Sequence, residues 1–177
     1  MLKKGENMKT KIKMLVACAL FAALTCIAGF ISVPLPMGYA NCGDIVLLMG
    51  AYLLGPVYGP IAAGLGASFT DLFMGYVVYI PGTVVIKALM ALACVGICRI
   101  ASKKRGFSLI GFAFGAVIAE IIMIFGYYIY ESVCLGYGFG GALASLSGNA
   151  VQALAGALGS TLLVIPVKKL VNKTGLL

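Results

Sequence analysis

The chain has 177 residues, of which 62% are hydrophobic and 10% are charged, and its formal net charge is +8. Soluble domains carry about 25% charged residues, so this composition excludes an ordinary soluble protein and indicates an integral membrane protein with one compact domain. The basic residues stand in short clusters between apolar segments, a pattern typical of cytoplasmic loops and not of a nucleic-acid-binding face.

The six cysteines show no framework spacing, and we interpret them as small apolar packing residues. Cys42 and Cys134 both fall in predicted outer loops, so a disulfide between them is left open. Because the chain has no histidine and no Cys-x-x-Cys pair, we expect neither a zinc nor a haem site, and no cofactor.

The first 13 residues are basic and precede a long apolar segment. That segment is longer than a signal-peptide core of about 7–15 residues, so we interpret it as a retained helix; a cleaved signal peptide and a start at Met8 are the alternatives. The second segment is too short to cross a bilayer as a straight helix, and either runs on from the preceding loop or dips partway. The six predicted spans are residues 14–33, 45–54, 57–76, 83–100, 109–130 and 149–167.

The orientation follows from lysine and arginine. Three basic clusters, at residues 3–13, 99–105 and 168–173, lie on one side of the membrane if the chain crosses it six times. The loops between them contain neither lysine nor arginine, so the clusters mark the cytoplasm, and both termini are predicted there. The predicted organisation is a basic N-terminus (1–13), a single membrane domain (14–171) and a short cytoplasmic tail (172–177).

In this topology, the polar residues concentrate in the outer half of the bundle. An ionisable group in a bilayer costs about 2.5–3.5 kcal/mol on insertion scales, which makes each one a candidate functional residue. An apolar cavity edged by a few directed polar groups is typical of a small-molecule site, and tyrosine rings stack on flat heterocycles. The residues that we predict to bind substrate are Tyr39, Asn41, Asp44, Asp71, Tyr79, Lys87, Glu120, Tyr127, Asn149 and Gln152.

Structural roles compete with binding for several of these groups. The tyrosines are also typical of an interfacial belt. Asp71 and Lys87 would otherwise pair only with each other, and Asp44 would cap the second helix. Glu120 lies mid-span, where structural contact through a protonated carboxyl competes with ligand contact. Glu131 shares its helical face with Glu120, but we interpret it as a solvated loop residue.

Ala19 and Ala23 lie four residues apart on a face of the first helix that carries no polar group. Small residues at this spacing let helices approach closely, either within the chain or to another membrane subunit.

Four stretches of the chain resemble a known family. They are the basic start with its alanine-spaced first helix, the loop PLPMGYANCGD, the run LLGPVYGPIAAGLGASFTD and the segment YIPGTVVIK. The blocks Asn41-x-Gly43-Asp44 and Leu54-Gly55-Pro56-x-x-Gly59 are the most specific. On these features the chain resembles the substrate-binding S components of bacterial energy-coupling factor (ECF) vitamin transporters.

The resemblance implies a six-helix bundle that captures a vitamin near its outer surface, under the first outer loop. It also implies that Ala19 and Ala23 face a transmembrane coupling subunit, and that two ATPase subunits drive import. The chain has no Gly-Lys-Ser/Thr phosphate loop of its own, which fits a partner-dependent subunit. The chain looks closest to the branch for hydroxymethylpyrimidine, pyridoxine or riboflavin-like substrates; we favour the first two, with riboflavin or another heterocycle as the alternative.

Two other functions compete with this interpretation. A proton-coupled secondary transporter would use Glu120 or Asp71 as its proton carrier, but the two halves of the chain show no inverted repeat. A membrane enzyme would use Asp44 and Asp71 as a carboxylate pair, but it would have few other acid–base groups. We therefore expect a transport subunit and not an enzyme.

Overall fold

The structure, a computed structural model, describes residues 2–34, 39–102 and 107–174. Over these ranges, five helices are long and apolar enough to cross a membrane. The chain is therefore an all-α membrane protein, as the sequence predicts. The helices are α1 (Leu2–Gly29), α2 (Gly43–Phe73), α3 (Ile80–Ser102), α4 (Leu109–Ile129) and α5 (Gly138–Thr174). Gly38, Lys103, Lys104 and Arg105, which the sequence analysis places in loops, lie outside the described residues.

A small antiparallel hairpin connects α1 to α2. Its strands are β1 (Ser32–Pro34) and β2 (Tyr39–Asn41), with Val33 opposite Ala40. A 3₁₀ turn (Val77–Tyr79) precedes α3, and a π-helical turn (Tyr130–Cys134) follows α4. The hairpin and both turns contribute residues to the cavity described below. They therefore lie near the same end of the bundle.

Helix α2 is bent back on itself at Gly55, whose φ of 78° and ψ of −170° are not helical. Glycine adopts this φ without a steric penalty, and the proline that follows suits the first turn of a new helix. In a straight helix Ala51 and Gly59 would be about 12 Å apart. Here a Cβ atom on Gly59 would lie 2.9 Å from the Cα of Ala51, so the two arms, residues 43–54 and 56–73, pack side by side.

The two arms of α2 correspond to the predicted second and third spans. Asp44, near the start of the first arm, and Asp71, near the end of the second, line one cavity, so the arms run antiparallel. The number of membrane crossings and the side on which the termini lie stay predictions.

Helix α1 packs on the second arm of α2 through small residues. A Cβ on Gly66 would lie 2.6 Å from the carbonyl oxygen of Ala22, and a Cβ on Gly29 would collide with the side chain of Thr70. Close approach of this kind is how helices associate in lipid. Ala19 and Ala23 are exposed on the opposite face of α1, so their predicted contact with a partner stays a prediction.

The first and last helices differ most from the sequence prediction in their bounds. The first was predicted over residues 14–33, but α1 runs from Leu2 to Gly29, and β1 begins at Ser32. The predicted outer loop 131–148 is wrong for its larger part, because α5 already begins at Gly138. Glycine disfavours helix, but backbone groups in an apolar environment must be hydrogen-bonded, and the helix satisfies them. Cys42 and Cys134 are free thiols, so the open question of a disulfide between them is answered in the negative.

Candidate substrate-binding site

A cavity lies at the end of the bundle where the arms of α2 begin and end. It offers about 40 Å³ to water-sized molecules, and a single water needs about 10–15 Å³, so the cavity is nearly filled by its own side chains. Eight of the ten predicted binding residues line it; Lys87 and Glu120 are the other two. The full lining is Thr25, Tyr39, Asn41, Gly43, Asp44, Ala67, Thr70, Asp71, Tyr76, Tyr79, Thr83, Tyr127, Glu131, Asn149 and Gln152.

Tyr39 ties the β-hairpin to the second arm of α2. Its hydroxyl donates a 2.5 Å hydrogen bond to Oδ1 of Asp71, and its ring centroid lies 4.8 Å from that of Tyr76. Burial, together with the neighbouring Asp71 carboxyl, raises the pKa of Tyr39 well above its usual value near 10. The phenol therefore keeps its proton at physiological pH and acts as the donor to Asp71.

Asp44 is the centre of a buried polar network. Its Oδ1 accepts a 2.6 Å bond from Nζ of Lys87, and its Oδ2 accepts a 2.6 Å bond from Nε2 of Gln152. The Oε1 of Gln152 accepts in turn from the backbone N–H of Asn41 at 3.0 Å. The carboxylate is 1% exposed, so pairing with both donors compensates a charge that would be costly alone.

The Asp44 network settles two alternatives left open by the sequence. Lys87 pairs with Asp44, so the alternative in which it pairs only with Asp71 is wrong. The alternative in which Asp44 caps α2 is also wrong, because its carboxylate oxygens bind Lys87 and Gln152. The Oδ1 of Asn41 instead accepts from the N–H of Gly43 at 2.8 Å, at the start of α2.

A group of tyrosines forms the wall toward α3 and α4. The hydroxyls of Thr83 and Tyr127 are 2.9 Å apart, and the Tyr79 hydroxyl donates to Oε1 of Glu131 at 3.3 Å. The ring centroids of Tyr79 and Tyr127 are 6.4 Å apart. Glu131 is only 2% exposed, so its interpretation as a solvated loop residue is wrong. The π-helical turn that contains Glu131 leaves its side chain inside the bundle.

Lys87 and Glu120 lie behind the wall of the cavity. Lys87 reaches Asp44 from α3, and its Nζ is 5.6 Å from the centroid of the Tyr127 ring. Glu120 on α4 contacts the bare backbone of Gly156 on α5, where a Cβ would collide with Oε1 of the glutamate and lie 3.0 Å from the Cβ of Asp44. Direct contact of these two side chains with a substrate stays a prediction.

Three of the predicted residues have hydrogen-bonding capacity to spare, and one of them is Asp71, whose Oδ2 has no partner among the described residues. Neither carboxyl oxygen of Glu120 has a hydrogen-bond partner among the described residues, and neither has Nδ2 of Asn149. Asn149 is one of the residues that line the cavity, so a ligand bound there would lie near its amide. Glu120 is 2% exposed and has no such access.

Sequence reasoning missed several lining residues, among them Thr25, Thr70, Tyr76, Thr83 and Glu131. Threonine inside an apolar helix has no periodic signal that separates a ligand contact from packing, as Thr70 shows by bonding to the carbonyl of Cys26. Two of them carried a usable signal. Thr83 stands one helical turn before Lys87, and Glu131 one turn after Tyr127.

Comparison with known proteins gives two findings. The family model described as "ECF-type riboflavin transporter, S component" matches residues 9–169. A protein of Pyrococcus woesei described as "Uncharacterized protein in gap 3'region" is 34% identical over 136 residues, which are 76% of this chain and 86% of that protein.

Proposed function

Since this chain belongs to the family of ECF-type riboflavin transporter S components, we propose that the cavity lined by Asp44, Asp71 and Asn149 holds the vitamin that is imported. Membership makes the chain a multi-pass plasma-membrane subunit for vitamin uptake, and the five apolar helices agree with it. The substrate, its contacts and the partner subunits are the proposed part.

We propose a hydroxylated nitrogen heterocycle of the size of pyridoxine or hydroxymethylpyrimidine. The cavity must widen for any vitamin, and a single ring needs the smaller change; the tyrosines of its wall offer faces on which such a ring stacks. The main support for this proposal is Asn149. Its Nδ2 has no hydrogen-bond partner among the described residues, and the residue lines this aromatic cavity. Asn149 would donate to a ring nitrogen or hydroxyl, and Asp71 would accept from a hydroxyl.

Riboflavin is the second candidate, and the name of the matching family favours it. Its three fused rings need more room than about 40 Å³, so Tyr39 and Asn41 would have to move aside together with the β-hairpin. Their bonds to Asp71 and Gln152 are the two polar ties that this movement would break.

In the proposed binding mode, the β-hairpin covers the bound vitamin. Tyr39 and Asn41 on β2 give their hydrogen bonds to Asp71 and Gln152 when the site is closed. A ligand that enters the cavity would replace these two hydrogen bonds with its own bonds to Asp71 and Gln152. Lys87 orients Asp44 by a hydrogen bond, and Asp44 in turn fixes the amide of Gln152 at the cavity.

We further propose that a transmembrane coupling subunit and two ATPase subunits drive import. The support is the small-residue pair Ala19 and Ala23, both exposed on α1 away from the packed core. A proton-coupled transporter, the competing mechanism, would import the vitamin without ATPase partners.

The first test is mass spectrometry of small molecules released from the purified protein, followed by calorimetric titration with pyridoxine, hydroxymethylpyrimidine and riboflavin. We expect one vitamin in near-stoichiometric amount that rebinds with nanomolar affinity. Asn149→Ala and Gln152→Ala should each weaken binding about 5- to 100-fold, because each removes a hydrogen bond from a buried site. Leu154→Ala is the matched control, since this α5 side chain is 65% exposed.

The outcomes separate the proposals. Tight binding of riboflavin alone would reject the single-ring substrates and keep the family function. Unchanged affinity in both Asn149→Ala and Gln152→Ala would reject this cavity as the binding site.

A further inference from the structure

A second cavity lies at the opposite end of the bundle, where α2 bends. Its volume is about 440 Å³, and its lining includes Tyr52, Gly55, Cys98, Arg99, Ser102 and Phe107. Arg99 is about 18 Å along α3 from Lys87, at 1.5 Å per residue, so this cavity is separate from the substrate site. No residue lines both cavities among those described.

One basic side chain, Arg99, lines the second cavity, and a second, Lys168, contacts two of its lining residues. Arg99 lies beside the bend, with a guanidinium nitrogen 3.7 Å from the position of a Cβ on Gly55. Lys168 of α5 donates a 3.1 Å hydrogen bond to the hydroxyl of Tyr52, and its Nζ is 4.4 Å from the centroid of the Phe107 ring. Two cations from different helices therefore lie around one aromatic-walled space.

Among residues whose side chains the structure describes, no carboxylate forms an ion pair with Arg99 or Lys168. Asp44 is committed elsewhere, because it pairs with Lys87 at the far end of the bundle. Asp71, Glu120 and Glu131 also belong to the far end, at or beneath the substrate cavity. Arg99 also makes no hydrogen bond to another described residue, so its donors are available to a ligand.

The chemistry of these groups selects an anion. A guanidinium presents a planar fork of donors that matches the oxygens of a phosphate, and an ammonium adds a point charge. Basic pockets between membrane helices on the cytoplasmic side bind phosphate head groups of lipids. The predicted orientation places this end on that side, because it carries the basic clusters.

We propose that the cavity at the bend of α2 binds a phosphate ester through Arg99 and Lys168. The head group of an anionic phospholipid and a soluble phosphate ester share this chemistry. Tyr52 lines the cavity and accepts a hydrogen bond from Lys168. It is therefore a positioning residue for the ammonium group.

The test compares two double variants of the full chain with equal changes of charge. Arg99→Gln with Lys168→Gln removes both proposed ligands. Lys169→Gln with Lys173→Gln removes two exposed lysines of α5 and is the matched control. Native mass spectrometry in detergent measures the binding of phosphatidylglycerol, and calorimetry measures that of glycerol 3-phosphate. Thermal melting checks that each variant is folded.

We expect the first double variant to bind phosphatidylglycerol about 30-fold more weakly, because each basic residue near an anionic head group contributes roughly a factor of five. The control should stay within about twofold. If the first double variant does not fold, Arg99→Lys is the second test. It keeps the positive charge but removes the planar guanidinium donors, and we expect it to bind phosphatidylglycerol a few-fold more weakly.

Each outcome decides the proposal. Binding of phosphatidylglycerol but not of glycerol 3-phosphate identifies a lipid head group, and binding of both identifies a soluble phosphate ester as well. Binding of neither ligand by the unmodified protein, or an equal loss in the control, overturns the proposal.

Discussion

Asp44 and Lys87 form an ion pair with 2.6 Å between Oδ1 and Nζ, and both side chains are almost fully buried. The second oxygen of Asp44 accepts from Gln152, so one carboxylate joins α2, α3 and α5. An ion pair of this kind is costly to form, and it is still more costly to break. Because Asp44 lines the candidate cavity, Lys87 supports one of its walls from α3.

Lys87→Met should destabilise the protein by about 3–5 kcal/mol, since it leaves the Asp44 charge buried and uncompensated. Adding Asp44→Asn should recover most of that loss, because the neutral amide still accepts from Gln152. Unfolding by denaturing detergent measures the stability of the single and of the double variant. Lys169→Met, on the exposed face of α5, is the control. A double variant no more stable than Lys87→Met would contradict the pairing.

Tyr39→Phe removes the donor to Asp71 and leaves that carboxyl without a partner from β2. The expected loss of stability is about 1–3 kcal/mol at neutral pH. The pKa of Tyr39 is raised in the folded state. The contribution of its hydroxyl to the free energy of unfolding is therefore complete below the ordinary tyrosine pKa near 10, and it declines as the pH rises beyond that value.

Melting temperatures of the unmodified protein and Tyr39→Phe, measured from pH 6 to pH 11, check this prediction. The difference between the two should be constant up to about pH 9 and then shrink, because the comparison cancels the titration of the other tyrosines. A difference that grows above pH 10 would show that Tyr39 does not donate to Asp71.

Gly156→Ala should destabilise the protein by about 1–3 kcal/mol, because the new Cβ collides with Oε1 of Glu120. Glu120→Ala in the same chain should relieve part of that cost, which a double-mutant cycle measures as a coupling energy. Gly96→Ala is the matched control, since a Cβ there meets no atom within 4 Å. Additive effects of the two changes would reject the contact between α4 and α5 at this point.

Ala19→Leu with Ala23→Leu should leave vitamin binding unchanged and reduce ATP-driven uptake at least tenfold, if α1 contacts a coupling subunit through this face. Both residues are exposed in the isolated subunit, so the larger side chains fit without a clash inside it. Uptake by membrane vesicles that contain the complete transporter is the measurement. Ala155→Leu, exposed on α5, is the control; unchanged uptake in the α1 variant would reject the predicted docking face.

Hydropathy and polar spacing predicted the membrane class, the positions of the apolar helices and eight residues of the cavity. The bend at Gly55 was visible only as a Gly-Pro boundary between two segments, because periodicity does not report direction. Which acid would pair with Lys87 was also beyond the sequence. That choice depends on how α2 and α3 pack, and two aspartates stood at similar predicted depth.

Glu131 shows why the outer rim was the hardest part to predict. A charged residue after an apolar span reads as solvated, and the glycine-rich run that follows reads as a loop. In the structure, a π-helical turn and an early start of α5 surround this position with protein. Local composition therefore predicted an exposed side chain at Glu131, whereas tertiary packing buries it.

The bend in α2 also constrains how the chain enters the membrane during its synthesis. The first arm, residues 43–54, is about 18 Å long, and the hydrocarbon core of a bilayer is about 30 Å thick. An insertion machinery that reads one long apolar segment at a time would not accept this arm alone. We expect it to enter the membrane together with the second arm, so that Asp44 and Asp71 reach the same end of the bundle before α3 supplies Lys87.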